Sequence, residues 1–175
     1  MKEETEWQGW QLAGSIPEAY EEYLVPAIFV PWGNRLVELA GLRGGESVLD
    51  VACGTGIVAR LAAAALGNVR RVFGLDLNPG MLAVAADIEA GIEWREGSAE
   101  DLPFEDGKFA TLFCQFSLQF FPDRAKALAE FYRVLVPGGR FLLSLPCAIE
   151  HWPGANALAT SLQQHVGGDA AAIIR

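Results

Sequence analysis

The sequence predicts an α/β protein: a doubly wound, mostly parallel sheet with helices on both faces. Short, nearly continuous apolar runs alternate with segments of helical period, as expected of parallel strands buried on both sides. The stretch "DVACGTG", Asp50 to Gly56, sets an acid and two glycines between one apolar run and the helical segment after it. A further pair, Gly138-Gly139, turns another helical segment into an apolar run.

The elements come in order along the chain. Ser15-Ile16-Pro17-Glu18 reads as a helix start, with Ser15 as N-cap, Pro17 in the first turn and Glu18 closing a capping box. Tyr20, Tyr23 and Leu24 then fall at helical spacing. Pro26 and Pro31 are expected to break or kink the chain after Leu24. A second helix is expected over 31–42, with Trp32, Leu36, Leu39 and Ala40 on one face, ended by Gly44-Gly45. Strands are expected at 47–51, 71–75, 92–95, 109–116 and 140–145. Between them lie helices at 56–66, 79–90 and 124–135, the last with Leu128, Phe131, Tyr132 and Leu135 inward. The tail carries one helix, 155–165, and closes on the apolar run Ala170-Ala171-Ala172-Ile173-Ile174, expected to dock. The chain thus divides into 1–45, 46–147 and 148–175.

Its 175 residues suffice for one domain with a core. The net charge of −9 disfavours nucleic acid and anionic membranes as partners and slightly favours a cationic ligand. Simple solubility explains it as well. No apolar run is long enough to span a bilayer, and the acidic start, Met1-Lys2-Glu3-Glu4, is no signal peptide. A cytoplasmic location is expected. Cys53, Cys114 and Cys147 are widely spaced and read as small buried hydrophobes. His151 and His165 lack a matching carboxylate cluster, so no metal is expected.

The glycine turn lies at a strand's carboxyl end, where such sheets bind ligands. Free N–H groups at the start of the next helix suit a pyrophosphate or a carboxylate. Gly54-Thr55-Gly56-Ile57-Val58-Ala59 satisfies G-x-G-x-x-A, and Asp76 stands twenty residues after Gly56, placed for ribose hydroxyls. Asp50 tilts the choice of ligand. An acid there repels a pyrophosphate but holds an ammonium. A ligand with a carboxylate, an ammonium, a ribose and an adenine is S-adenosylmethionine.

Four segments, "VLDVACGTG", "GLDLNPGML", "GSAEDLPFEDGKF" and "RVLVPGGRF", stand in the order and spacing of a known family. From about Tyr20 to Pro146 the chain resembles a class I S-adenosylmethionine-dependent methyltransferase of the ubiquinone/menaquinone-biosynthesis and small-molecule type. The resemblance implies a Rossmann-like core at 46–147, an N-terminal helical lid and methyl transfer to a small-molecule acceptor by in-line displacement, with S-adenosylhomocysteine as product. It implies that Asp50, Ala52, Gly54 and Gly56 surround the methionine part and that Asp76 takes the ribose. Leu77 and Met81 would then pack on the adenine, Ser98 and Ala99 would meet its polar edge, and Gln115 and Phe116 would lie by the methionyl group and the methyl. Ser98 stands where the family often has Asp, and Ala52 replaces a common glycine.

Plainer roles stay open. Asp76 and Asp50 also suit helix or turn caps, and Leu77 and Met81 suit core positions. Tyr20, Tyr23 and Trp32 fit the lid, with core packing preferred for Trp32. Gln119 is expected to be exposed, and Glu105-Asp106-Gly107-Lys108 to be a solvated turn. No residue is placed as a general base, so none is named catalytic.

The family's usual last two strands have no counterpart after Leu145. A short or truncated form is therefore expected, with one sheet edge open to a homodimer. Two other readings remain: a catalytically silent cofactor-binding or interaction domain, and an NAD-dependent oxidoreductase.

Overall fold

The computed structural model describes residues 16–167. Five parallel strands form one sheet in the order β3-β2-β1-β4-β5. They are β1 (Val48–Val51), β2 (Val72–Asp76), β3 (Glu93–Glu96), β4 (Phe109–Gln115) and β5 (Leu135–Ser144). The chain builds from β1 out to β3, then returns to add β4 and β5 on the other side. This reversal makes the crevice at the carboxyl ends of β1 and β4 the natural ligand site.

Alternate strand residues feed two cores. Val48, Val72 and Phe113 join Leu36, Ala40, Val58 and Ala62 from α2 (Val30–Ala40) and α3 (Ile57–Leu66). Leu49, Val51, Phe73, Leu75 and Cys114 join Ala127, Phe131 and Val134 from α5 (Arg124–Val134). The expected doubly wound architecture is therefore present, with every residue of β1 and β2 buried.

Several local expectations are corrected. Residues 16–40 form one helical run rather than two helices. α1 (Ile16–Ala19) passes into a π-helical stretch, Tyr20–Phe29, and then into α2. Pro26 lies inside the π stretch, where Val30 N–H bonds to the Val25 carbonyl five residues back. The wider turn accommodates a residue that lacks an N–H and would crowd an ordinary helix. The inward face of α2 is Gly33, Leu36 and Ala40, while Trp32 and Leu39 are 52% and 61% exposed. A Cβ on Gly33 would stand 3.0 Å from Leu61 Cδ1, so the smallest side chain faces α3 and Trp32 is turned outward.

α5 is rotated likewise. Ala127, Phe131 and Val134 are buried, whereas Leu128 is exposed and Tyr132 is 84% exposed. Leu135 is the first residue of β5, paired with Phe109; the register then shifts and resumes at Thr111 opposite Arg140. Pro137-Gly138-Gly139 is thus an irregularity inside a strand that begins five residues before the expected 140.

α4 (Pro79–Ile88) is capped by Asn78, whose Oδ1 accepts from Gly80 and Met81 N–H at 2.9 and 3.3 Å. The chain divides into two units after Ser144. The second, described to Gly167, holds a 3-10 turn, Ile149–His151, and α6 (Pro153–His165). Cys53 and Cys114 are buried as expected; Cys147 is exposed. Among the described residues no helix is long and apolar enough to cross a membrane. The predicted cap Ser15 and the run 170–174 lie outside the described residues.

The rotation of α5 makes a paired prediction. Phe131→Ala is expected to cost about 3–5 kcal/mol in urea unfolding, and Tyr132→Ala next to it under about 0.5 kcal/mol.

Candidate functional site

The glycine turn is held from both sides. Cys53 N–H donates to the Leu75 carbonyl at 3.0 Å, tying the turn to β2. Ala52 and Gly54 are left-handed, at φ 53° and 55°. Gly56, at φ 84°, begins α3 and offers no side chain to cap it. Asp50 supplies that cap from β1: its Oδ2 accepts Ala59 N–H at 3.0 Å. Asp76, at the end of β2, braces the same turn. Its Oδ2 accepts Gly54 N–H at 2.7 Å and its Oδ1 accepts Asn78 N–H at 2.9 Å. Both acids therefore do capping work, and both face the crevice.

That crevice is a cavity of about 510 Å³. Asp50, Ala52, Gly54, Asp76, Leu77, Met81, Ser98, Ala99, Gln115 and Phe116 all line it. Of the residues that the resemblance assigns to the cofactor, Gly56 alone does not. A Cβ there would lie 2.3 Å from Trp94 Cη2, and one on Gly74 would lie 2.3 Å from Trp94 Cε3 and Cζ3. The indole of Trp94, on β3, thus lies against both glycines, and its Nε1–H donates to the Glu89 carbonyl at 2.9 Å. Sequence reading missed this. The available signal was Gly74, a glycine inside an apolar strand, which marks a close approach.

The helical run 16–40 closes one side. Tyr20, Leu24 and Phe29 line the cavity, with the Tyr20 and Phe29 rings 5.1 Å apart. Phe116 lies 5.8 Å from Phe29 and 6.0 Å from Trp32. Gln115 Nε2–H donates to the Phe29 carbonyl at 3.2 Å, and Arg60 pairs with Glu21 at 2.7 Å, each side chain 20% exposed. Tyr23 is 63% exposed and does not line the cavity. Trp32 touches Phe116 but is not core.

Phe116 is itself left-handed, at φ 53°, an unusual conformation for an aromatic residue. Hydrogen bonds fix the turn around it. Gln119 Nε2–H donates to the Phe116 carbonyl at 2.8 Å, and Ser117 O–H to the Gln115 carbonyl at 2.9 Å. Gln119 is therefore a partly buried turn brace, not the exposed polar residue expected. Nor is 105–108 merely solvated. Asp106 pairs with Arg133 at 2.8 Å, and Lys108 Nζ lies 4.2 Å from the Phe73 ring centre.

Asp50, Asp76 and Glu100 line the cavity, and no Lys or Arg does among the described residues. Burial pushes the Asp50 carboxyl up to about 8; the Ala59 N–H opposes this, and the Asp76 charge adds to it. Burial also raises Asp76, against the N–H groups of Asn78, Gly54 and Leu77. The Tyr20 phenol and the Cys53 thiol are raised as well, first by burial and then by nearby acids. The cavity thus favours cations and holds no thiolate nucleophile. Among the described residues no cluster of His, Cys, Asp and Glu is arranged to hold a metal.

Two tests arise from this geometry. Folded Asp50 keeps a proton that the unfolded chain releases, so its contribution to stability falls as pH rises from about 4 to about 8, by up to about 1.4 kcal/mol per unit. Asp50→Asn is expected to flatten the pH dependence of urea unfolding and to exceed wild type near pH 8. Gly74→Ala is expected to destabilise by roughly 2 kcal/mol through overpacking on Trp94. Combining it with Trp94→Leu is expected to cost at least about 1 kcal/mol less than the two single changes summed.

Comparison with known proteins agrees with this arrangement. A family model described as "Methyltransferase domain" matches residues 49–143. The chloroplastic 2-phytyl-1,4-beta-naphthoquinone methyltransferase of Arabidopsis thaliana is 40% identical over 117 residues, covering 62% of this chain and 45% of that protein. The demethylmenaquinone methyltransferase of Symbiobacterium thermophilum is 33% identical over 149 residues, covering 80% and 59%. The crystal structure of YcgJ from Bacillus subtilis superposes with a TM-score of 0.62 at 30% identity, covering 73% of this chain and 58% of that one. The chain spans about half the length of the curated relatives it matches. Its sheet order, its glycine turn and the matched residues together mean that the chain belongs to the class I S-adenosylmethionine-dependent methyltransferase family.

Proposed function

We propose that the cavity binds S-adenosylmethionine and that the protein transfers its methyl group to a small-molecule acceptor. One observation carries the reading: the cavity is lined by carboxylates and by no basic side chain among the described residues. A ligand bearing a sulfonium and an ammonium relieves that charge. A dinucleotide brings a pyrophosphate into it, so the NAD reading is the weaker one despite the G-x-G-x-x-A match.

In this reading Asp50, Ala52, Gly54 and Gln115 hold the methionyl part, and Asp76 accepts from the ribose hydroxyls. Its oxygens keep lone pairs beyond the two backbone contacts they already make. Leu77 and Met81 pack on the adenine, and Ser98 and Ala99 meet its polar edge. Gly56 acts indirectly, by letting Trp94 support the turn. The cofactor supplies an activated methyl group on a positively charged sulfur. The protein's task is to hold an acceptor in line with that methyl and to exclude water.

Phe29 and Phe116 offer an aromatic wall at that end. The relatives are named for naphthoquinone and menaquinone methylation, and a flat, apolar ring is the acceptor this wall suits. No side chain is assigned as general base.

The test is calorimetric titration with S-adenosylmethionine, S-adenosylhomocysteine and NAD, on wild type and on Asp76→Ala. Saturable binding of the first two is expected, weakened about tenfold or more in the variant, which loses charge-assisted hydrogen bonds. Binding of NAD alone would overturn the reading. Transfer of a labelled methyl group to a demethylated naphthoquinol tests the acceptor; cofactor binding with no transfer to any acceptor would assign a silent binding domain instead.

A further inference from the structure

Loop 97–106 carries Ser98 and Ala99 to the cavity wall. Its own backbone bonds are few. Gly97 N–H donates to the Asp76 carbonyl at 3.0 Å, Asp101 N–H to Ser98 at 3.2 Å and Phe104 N–H to Leu102 at 2.7 Å. Much of its remaining polar backbone is satisfied from α5. Glu130 Oε2 accepts Leu102 N–H at 2.8 Å. The Arg133 guanidinium donates to the Leu102 carbonyl at 2.9 Å and to the Phe104 carbonyl at 2.7 Å. It also reaches Asp106 at 2.8 Å and both oxygens of Glu130, at 2.7 and 2.6 Å. Nearer the cavity, Glu100 Oε1 accepts the N–H of Asp123, the N-cap of α5, at 2.9 Å.

Neither Glu130 nor Arg133 lines the cavity. Ser98 has no carboxylate to offer a base, and its hydroxyl oxygen already accepts Glu100 N–H at 3.1 Å. Reading of a base edge here therefore leans on the loop's backbone, which Ser98 and Ala99 bring to the cavity wall. A backbone group has no rotamer with which to correct a misplaced loop, so the loop's position decides how well it reads.

We infer that Arg133 and Glu130 are positioning residues which, by fixing loop 97–106 to α5, set the pocket's preference for an adenine over a purine with a different polar edge. This rests on the cofactor reading above. From a rigid helix Arg133 bonds the Leu102 and Phe104 carbonyls and Asp106, while Glu130 accepts Leu102 N–H and holds the guanidinium in place. The planar guanidinium spans the Leu102 and Phe104 carbonyls together, a geometry that a lysine does not reproduce.

The experiment titrates S-adenosylhomocysteine and S-inosylhomocysteine, which differ at the base edge, into wild type, Arg133→Gln, Arg133→Lys, Glu130→Gln and Tyr132→Ala. Wild type is expected to prefer the adenosyl ligand by about tenfold or more. In Arg133→Gln the adenosyl ligand is expected to weaken about tenfold and the inosyl ligand less than about twofold, so the preference collapses. Arg133→Lys and Glu130→Gln are milder changes that keep the test open if Arg133→Gln fails to fold, and both are expected to reduce the preference. Tyr132, on the same helix and 84% exposed, is expected to leave the preference intact when changed to Ala. Equal weakening of both ligands, as a general structural role would give, overturns the inference, and so does an unchanged preference. Wild type that binds neither ligand overturns the cofactor reading itself, and the inference with it.

Discussion

Asp50 and Asp76 stand at the carboxyl ends of adjacent strands, buried, with no basic side chain among the described residues lining the cavity they share. Much of the site is arranged around that fact. A buried carboxylate is costly unless hydrogen-bonded, and here the partners are backbone N–H groups. Ala59 serves Asp50; Gly54 and Asn78 serve Asp76. Each such bond ties a ligand-facing acid to a structural element: α3, the glycine turn and the start of α4. The contacts offset burial only in part, since both carboxyls stay above their ordinary range. Burial therefore biases both acids toward their protonated forms, and a cationic ligand beside them would favour the ionised ones.

The glycine turn shows how such a site is made rigid. Gly54 lies at the cavity, whereas Gly56 and Gly74 yield their Cβ positions to the indole of Trp94. The second glycine of the motif is thus a packing requirement as well as a conformational one. A bulky side chain from an edge strand presses the turn into place, and the carboxylate of Asp76 holds it from the other side. Phe116, in its left-handed conformation, plays the corresponding part at the end of β4, where Gln119 and Ser117 fix the backbone.

Much of this was legible in the sequence, and the reason is local. Apolar runs bounded by glycine and proline gave the strands in their correct sequence order, and the spacing from Gly56 to Asp76 gave the two acids their places at strand ends. What the sequence hid depends on partners far along the chain. On α2 and α5 the expected inward residues Leu36, Ala40 and Phe131 are buried, but Trp32, Leu39, Leu128 and Tyr132 are exposed, and the small residues Gly33 and Ala127 face inward instead. Pro26 read as a break because nothing local announces a π-helical stretch. Arg133 opens the segment "RVLVPGGRF", but nothing local shows what it bonds. Its importance comes from carbonyls about thirty residues earlier, which only the folded chain brings to it.

The central claim is that burial holds Asp50 protonated in the free cavity and that the site is built to receive a cation beside it, which favours the ionised carboxylate. The most direct measurement is a carbon-13 NMR titration of the Asp50 carboxyl, assigned by comparison with Asp50→Asn, in the free protein and with S-adenosylmethionine bound. The account predicts a midpoint near 8 in the free protein, falling well below that when the sulfonium ligand is bound. An ordinary carboxylate midpoint in the free protein, or one that the ligand leaves unchanged, would contradict it.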